Sequence, residues 1–280
     1  MKKTKVLSLA MVVFAASTLV LGILLWQSKS AESSSEVATK VQASDTNTAE
    51  GNYSDEMKIE YAVDLSPEDG ADSVEREGDH VNSPYFSNLD FYNMESTDTL
   101  TILSNFKTIQ QTSEWSCGVT SSLMVLNYYG KLDDWNEKTL AQLRSDHSDI
   151  HPGTCLVQVQ EIFDAVGGFT YDSTEDFTND LSQINLSMIR EYLEDGIPVM
   201  IAWNDWGGHW QVIIGYDDMG TETEQDDVII VADPYDTTDH NQDGYGVYGA
   251  ERFYYNFTMY DFFGEDELND MIFLAAKPLS

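Results

Sequence analysis

The chain has 280 residues and a formal net charge of −35, with 49 acidic and 14 basic side chains. This length has room for one or two domains. So negative a chain repels nucleic acid and anionic lipid headgroups, which excludes both as ligands of its folded part; the charge serves solubility, adaptation to a salty medium or the attraction of cationic partners.

The first 30 residues have the layout of an export signal. Lysines at positions 2, 3 and 5 precede an uncharged, largely apolar run from Leu7 to Trp26. The basic residues are expected to stay inside the cell while the apolar run enters the bilayer. Because the run is long enough to cross a membrane, residues 1–30 are predicted to be an uncleaved signal anchor in preference to a cleaved signal peptide. In both cases the bulk of the protein is expected at the extracellular face of the cell membrane or secreted, in contact with the membrane only through this segment.

Residues 31–84 are predicted to be a disordered tether. They are rich in Ser, Thr, Glu, Asp and Ala and contain few large apolar side chains. Such a segment cannot bury enough surface to offset the entropy of ordering it. Aromatic residues become frequent from Tyr85 on, so residues 85–280 are predicted to form one domain with its own core. The chain has no Gly-rich loop ending in Lys-Ser or Lys-Thr, and no nucleotide is expected as a ligand.

Apolar periodicity in the predicted domain indicates helices first and strands later. Segments with roughly helical spacing that end at glycines predict helices over 117–129, 157–166 and 186–193. Short apolar runs predict β-strands over 197–203, 209–214, 228–232 and 271–276, the second and third joined by a polar loop as in a hairpin. This segregation favours an α+β fold, in which an N-terminal helical part packs on a C-terminal antiparallel sheet.

Two cysteines, Cys117 and Cys155, are the candidates for thiol chemistry. An exported chain that used disulfides for stability would carry more of them, and no four-ligand Cys/His zinc spacing is present. Cys117 starts the first predicted helix, where the positive end of the helix favours the reactive thiolate, and Gly118 leaves the adjacent backbone amide unobstructed. The alternative for Cys117 is a small buried apolar side chain.

A candidate oxyanion donor lies six residues before Cys117. The side-chain amide of Gln111 is able to donate a hydrogen bond to a developing negative oxygen, and the backbone N–H of Cys117 would be a second donor. Helix N termini direct unpaired N–H groups towards negative charge, which makes this geometry plausible.

The candidate base and its orienting acid lie on consecutive predicted strands. His209 follows two glycines and opens one strand, whereas Asp233 ends the next, so that hairpin pairing would bring them together. A carboxylate beside an imidazole fixes its tautomer and stabilises the imidazolium. The structural alternatives are a buried strand histidine and an Asp-Pro turn.

The ordered set resembles the papain-like superfamily, specifically the double-glycine leader peptidases that process bacteriocins and their stand-alone relatives. The residues that carry the resemblance are Gln111, Cys117-Gly118, the helix through Met124 to Gly130, Gly208 to Asp217, and Asp233-Pro234. It spans about residues 105–276 and implies a papain-like fold whose helical part carries the nucleophile. The roles it implies are attack by Cys117, base catalysis by His209, orientation of the base by Asp233, and an oxyanion donor at Gln111, with Gln110 as the adjacent alternative.

The resemblance predicts an exported cysteine peptidase-like hydrolase that cleaves a peptide or amide bond of a peptide or protein substrate through a Cys thioester, without a cofactor. Ser116 stands where the transporter-linked members usually have Asp, so leader processing is not carried over to this chain. Three alternatives stay open: a binding module on the same fold without activity, a cell-wall amidase or transglutaminase-like Cys–His enzyme, and a purely structural surface protein.

An acidic segment, Asp239 to Gly244, matches the first half of a calcium-binding loop. Position twelve of that loop is Ala250, and the acidic residue comes one position later at Glu251. We therefore predict a solvated acidic loop and no metal site.

Overall fold

The structure is a computed structural model that describes residues 85, 87, 89–113, 115–145, 153–205, 207–235, 243–260, 262–263 and 267–279. The predicted signal segment, the tether and most of the acidic segment lie outside the described residues and stay predictions. No helix in the described ranges has the length and apolar character needed to cross a membrane.

Helices and strands are mixed along the chain more than the sequence predicts. The α-helices are α1 (Cys117–Tyr128), α2 (Glu137–Ala141), α3 (Leu156–Val166), α4 (Leu186–Glu194) and α5 (Ala250–Tyr254). The strands are β1 (Leu100–Ile102), β2 (Phe169–Ser173), β3 (Val199–Trp203), β4 (His209–Asp217), β5 (Val228–Ala232), β6 (Tyr245–Gly249) and β7 (Ile272–Pro278). Two short 3₁₀ turns, Thr174–Phe177 and Leu181–Gln183, join β2 to α4.

All seven strands form one sheet. Six of them follow the order β2-β7-β3-β4-β5-β6, and β1 pairs with the C-terminal end of β4. Every pairing is antiparallel. The predicted α+β class and the antiparallel sheet are therefore confirmed. The three longer helices and the four central strands lie where the apolar periodicity indicates, within a few residues at each end.

The sequence missed β1, β2 and β6, which lie at the edges of the sheet. In β2 only Ser173 is fully buried, and β6 is buried only at its first two residues. Strands with so little apolar surface lack the alternation that identifies a half-buried strand. Their positions are fixed by pairing with β7 and β5, which depends on the assembled sheet.

The core lies between the central strands and α1. Strand β3 is buried along its whole length, and β4 is buried from His209 to Tyr216. Helix α1 is buried from Cys117 to Leu126, so it lies inside the domain and not on its surface. Its contact with β4 is close, because the hydroxyl of Ser121 donates to the backbone oxygen of Trp210 at 3.3 Å. This contact brings the first turn of α1 to the beginning of β4.

Candidate active site

The thiol of Cys117 lies at the N terminus of α1. Cys117 is 8% exposed, and the first helical hydrogen bond runs from the Thr120 N–H to the Ser116 oxygen at 2.9 Å. No side chain among the described residues caps this helix. The hydroxyl of Ser116 donates instead to the Ser113 oxygen at 3.0 Å, within the preceding turn. The first N–H groups of α1, at the end of the helix that carries Cys117, therefore have no side-chain acceptor, which favours negative charge there.

Gly118 sets the distance between this helix and the sheet. A Cβ atom at Gly118 would lie 2.9 Å from the Cβ of Thr154 and 3.0 Å from Cδ1 of Trp210, closer than real Cβ contacts allow. The indole of Trp210 is itself fixed, since its N–H donates to the Thr154 oxygen at 2.7 Å. Only glycine permits this approach, and Trp210 is the residue next to His209.

His209 begins β4, directly opposite Trp203 of β3. The preceding glycines, Gly207 and Gly208, have φ values of +93° and +108°, which L side chains rarely adopt. A Cβ at Gly208 would also meet the terminal carbon of Met259 at 2.7 Å. The histidine ring is 7% exposed and is therefore held between packed elements.

The imidazole of His209 interacts with both Asp233 and Cys117. Its Nε2 lies 2.7 Å from Oδ1 of Asp233, and the thiol of Cys117 is close enough to act on the charge of the ring. Burial alone lowers the pKa of His209, but the charge and hydrogen bond of Asp233, followed by the contact with Cys117, raise it well above its ordinary value. The arrangement therefore favours an imidazolium beside a sulfur nucleophile.

Asp233 follows β5 and has hydrogen bonds to both carboxylate oxygens. Its Oδ1 also accepts the Tyr235 N–H at 2.8 Å, and its Oδ2 accepts Nε2 of Gln211 at 2.9 Å. The backbone N–H of Asp233 donates to the Gly244 oxygen at 2.8 Å, which ties it to the segment before β6. The carboxylate is thus fixed in the orientation that holds the imidazole.

Gln111 lies in the loop between β1 and α1, which contacts the segment after Asp233. Its backbone N–H donates to the Pro234 oxygen at 2.8 Å, and its side-chain Nε2 donates to the Ser113 oxygen at 2.7 Å. An amide nitrogen carries two hydrogens, so one remains for a ligand. Among the described residues Oε1 of Gln111 has no hydrogen-bond partner, although the residue is 1% exposed. Gln110, the alternative, is also buried, at 7% exposure.

A hydrogen-bonded network behind Asp233 was not predicted from the sequence. It consists of Gln211, Asp205, Trp203 and Tyr248. Gln211 is two residues after His209, so the alternation of a strand puts both side chains on one face of β4. The position of Gln211 on the same face of the strand as His209 could therefore have been predicted from the sequence. The approach of Asp205 and Tyr248 depends on how β6 joins the sheet, which local patterns do not reveal.

Cys155 has the environment of a structural thiol. Both cysteines are free, and Cys155 lies at the start of α3, 1% exposed. Burial raises the pKa of its thiol to about 11, and the neighbouring Glu267 adds to the effect. A thiol with so high a pKa is a poor nucleophile at neutral pH. Within the described ranges, no cluster of three or more His, Cys, Asp or Glu residues is able to hold a metal ion, and positions 236–242 of the acidic segment lie outside them.

The arrangement is suited to acyl transfer. It combines a thiol at a helix N terminus, where backbone N–H groups lack a side-chain cap, with an imidazole that interacts with that thiol and is bonded to a carboxylate. Comparison with protein families gives an independent result: the model described as Peptidase_C39 like family matches residues 103–261, more than half of the chain. No curated protein matches the sequence.

Proposed function

This chain belongs to the Peptidase_C39 like family, and from that premise we propose that it is a cysteine peptidase that cleaves a peptide or amide bond through a thioester on Cys117. The observation that carries the proposal is the position of the His209 ring, which lies 2.7 Å from Asp233 and interacts electrostatically with Cys117. A buried charged pair contributes little to stability by itself, because the cost of desolvation offsets much of the attraction.

The proposed reaction has two steps. The Cys117 thiolate attacks the carbonyl carbon, and the resulting oxyanion accepts hydrogen bonds from the Cys117 N–H and from Nε2 of Gln111. The carbon–nitrogen bond then breaks as His209 gives its proton to the leaving amine. In the second step His209 takes a proton from water, the hydroxide attacks the thioester, and the acid is released as the thiol is restored. Asp233 holds the imidazole and stabilises its charge throughout.

A cationic peptide or protein is the substrate class that the charge supports. The chain has 49 acidic and 14 basic residues, and four of the basic ones lie in the first 30 positions. A field of this sign raises the local concentration of basic peptides and repels nucleic acid. We expect a lysine-rich peptide library to be cleaved faster than a glutamate-rich one at low salt, with the difference shrinking as salt is added.

The proposal also includes export, which rests on the basic and apolar order of residues 1–30. The domain would act at the outer face of the membrane or after secretion. The intact mass of the mature protein distinguishes an uncleaved anchor from a removed signal peptide.

The test of the reaction compares the two cysteines. We expect Cys117→Ala to abolish turnover of a peptide library and labelling by a thiol-reactive probe, whereas the matched control Cys155→Ala keeps both. Labelling of Cys117 no faster than that of Cys155 would contradict the proposal. Rapid labelling without peptide turnover would indicate a binding module, and release of fragments from purified peptidoglycan would indicate a cell-wall amidase.

A further inference from the structure

A second carboxylate, that of Asp205, lies behind the acid of the site. Asp205 belongs to the loop between β3 and β4 and is half-buried. Its Oδ2 accepts the hydroxyl of Tyr248 at 2.8 Å and Nε2 of Gln211 at 3.2 Å. Both donors are well ordered by the sheet, since Gln211 is in β4 and Tyr248 in β6. Nothing in the proposed reaction uses this carboxylate directly.

The side chain of Gln211 bridges the two carboxylates, and its orientation is unambiguous. The indole N–H of Trp203, which is only a donor, donates to Oε1 of Gln211 at 2.8 Å. The amide nitrogen must therefore be on the opposite side, where it reaches Oδ2 of Asp233 at 2.9 Å and Oδ2 of Asp205 at 3.2 Å. Gln211 is completely buried, so these bonds are not exchanged with water. The same nitrogen also lies 3.3 Å from the Tyr248 hydroxyl, so its two hydrogens are directed at the two carboxylates and at the tyrosine that itself donates to Asp205.

Two carboxylates that share one amide repel each other unless positive charge is near. Burial raises the pKa of Asp205 and the charge of Asp233 adds to this, whereas the Tyr248 hydroxyl, the charge of His209 and the Gln211 amide oppose it. The titratable groups around His209 are Cys117 on α1, Asp233 and Tyr235 after β5, and Asp205 before β4; Tyr248 on β6 faces Asp205. The positive charge that this pair requires is the imidazolium.

We propose that Asp205 is a positioning residue of the active site, which fixes Asp233 through the Gln211 amide and adds a second negative charge in support of the thiolate–imidazolium pair. This inference rests on the proposed function, because it concerns the same Cys117–His209 pair. Asp205 contacts neither substrate nor sulfur in this scheme. It acts on the base through Gln211 and through its charge.

The consequence appears in the pH range over which the ion pair exists. This range has an acid limit and an alkaline limit, and the alkaline limit is the pH at which His209 loses its proton. Removing a negative charge near His209 makes that proton easier to lose, so the alkaline limit moves to lower pH. The acid limit of this range should move less, because Asp205 interacts electrostatically with His209 and not with Cys117. A residue that only stabilised the fold would change melting and leave both limits in place.

The experiment uses the full chain and alkylation of Cys117 by iodoacetate across the pH range. This anionic reagent reacts with the thiolate and is attracted by the imidazolium, so its rate falls when His209 loses its proton. We expect Asp205→Asn to lower the alkaline limit by about half a pH unit or more. Tyr248→Phe, which removes a hydrogen bond to Asp205 but no charge, should shift it in the same direction by less, and serves if Asp205→Asn does not fold.

Asp227→Asn is the matched control. Asp227 is a buried carboxylate that also accepts a tyrosine hydroxyl, that of Tyr216, but it precedes β5 whereas Asp233 follows it, roughly 20 Å away. We expect it to leave both limits unchanged. A shift in Asp205→Asn no larger than in Asp227→Asn overturns the inference while leaving the proposed function intact. A wild-type Cys117 without a bell-shaped alkylation profile overturns the proposed function, and this inference with it.

Discussion

The part of the candidate site around His209 and the part around Cys117 differ in how completely their polar atoms are hydrogen-bonded. Around His209, both oxygens of Asp233 and both ends of the Gln211 amide have hydrogen-bond partners. Around Cys117, Oε1 of Gln111 and the Ser113 hydroxyl have no partner among the described residues, and α1 lacks a side-chain cap. Buried polar groups are usually satisfied, so the contrast marks where a ligand is expected.

The part around Cys117 is nonetheless held firmly from behind. The buried carboxylate of Glu137 accepts hydrogen bonds from the backbone N–H and hydroxyl of Thr112, and from the hydroxyl of Thr120 at 3.3 Å. Burial raises the pKa of Glu137, whereas the hydrogen bonds of Thr112 and Thr120 lower it. The loop before α1 is therefore firmly held, although Oε1 of Gln111 and the Ser113 hydroxyl have no partner among the described residues.

The largest effect is expected when Asp233 is removed from the fully hydrogen-bonded part of the site around His209. With Asp233→Ala, the His209 ring loses the partner that sets its tautomer and charge, and we expect kcat/KM to fall about a thousandfold. Peptide turnover measures the loss, and a thermal melt of the same variant shows whether the fold survives. A loss below tenfold would mean that the base is held without the acid.

A smaller effect is expected in the part around Cys117, where Gln111→Ala removes the proposed oxyanion donor. We expect kcat to fall about a hundredfold, with little change in melting, since the side chain makes one hydrogen bond in the resting protein. Gln110→Ala is the control and should retain activity within a few-fold. The reverse result would transfer the role to Gln110, and equal losses would argue against an amide donor at either position.

The smallest expected effect is on stability, and it tests how firmly Glu137 holds the part of the site around Cys117. Glu137→Ala leaves the Thr112 N–H and the Thr120 hydroxyl without their buried acceptor, and we expect the free energy of unfolding to fall by about 2–3 kcal/mol. The control is Glu194→Ala, an exposed carboxylate paired with Arg190 at 3.0 Å, which should change stability by about 0.5 kcal/mol or less. Denaturant unfolding measures both. Equal effects would show that the loop before α1 does not depend on Glu137.

The positions of the candidate residues relative to helices and strands were predictable, because each residue lies at the end of a strongly apolar element. Cys117 begins α1, His209 begins β4, and Asp233 follows β5, as their patterns indicate. Hairpin pairing of β4 with β5 then brings base and acid together. Family membership and the α+β class were predictable for the same reason.

The network behind Asp233 was not predictable because it depends on long-range pairing. Asp205 and Tyr248 are 43 residues apart and meet only because β6 is added beside β5. Glu137 resembles a solvated helix residue in the sequence, and its burial results from contact with the Thr112 loop. The domain boundaries at residues 30 and 84 stay predictions.

The hydrogen bond between Trp203 and Gln211 makes the fluorescence of Trp203 a reporter of protonation in the network around Asp233. The indole stands edge-on to Tyr248, with ring centres 5.1 Å apart, and donates to the amide that bridges both carboxylates. Indole emission responds to nearby charge and hydrogen bonding, so protonation of this network should alter the fluorescence of Trp203. The chain has six tryptophans, and subtracting the spectrum of a Trp203→Phe variant isolates this signal. Titration of the site could then be followed in real time without an added dye or a known substrate.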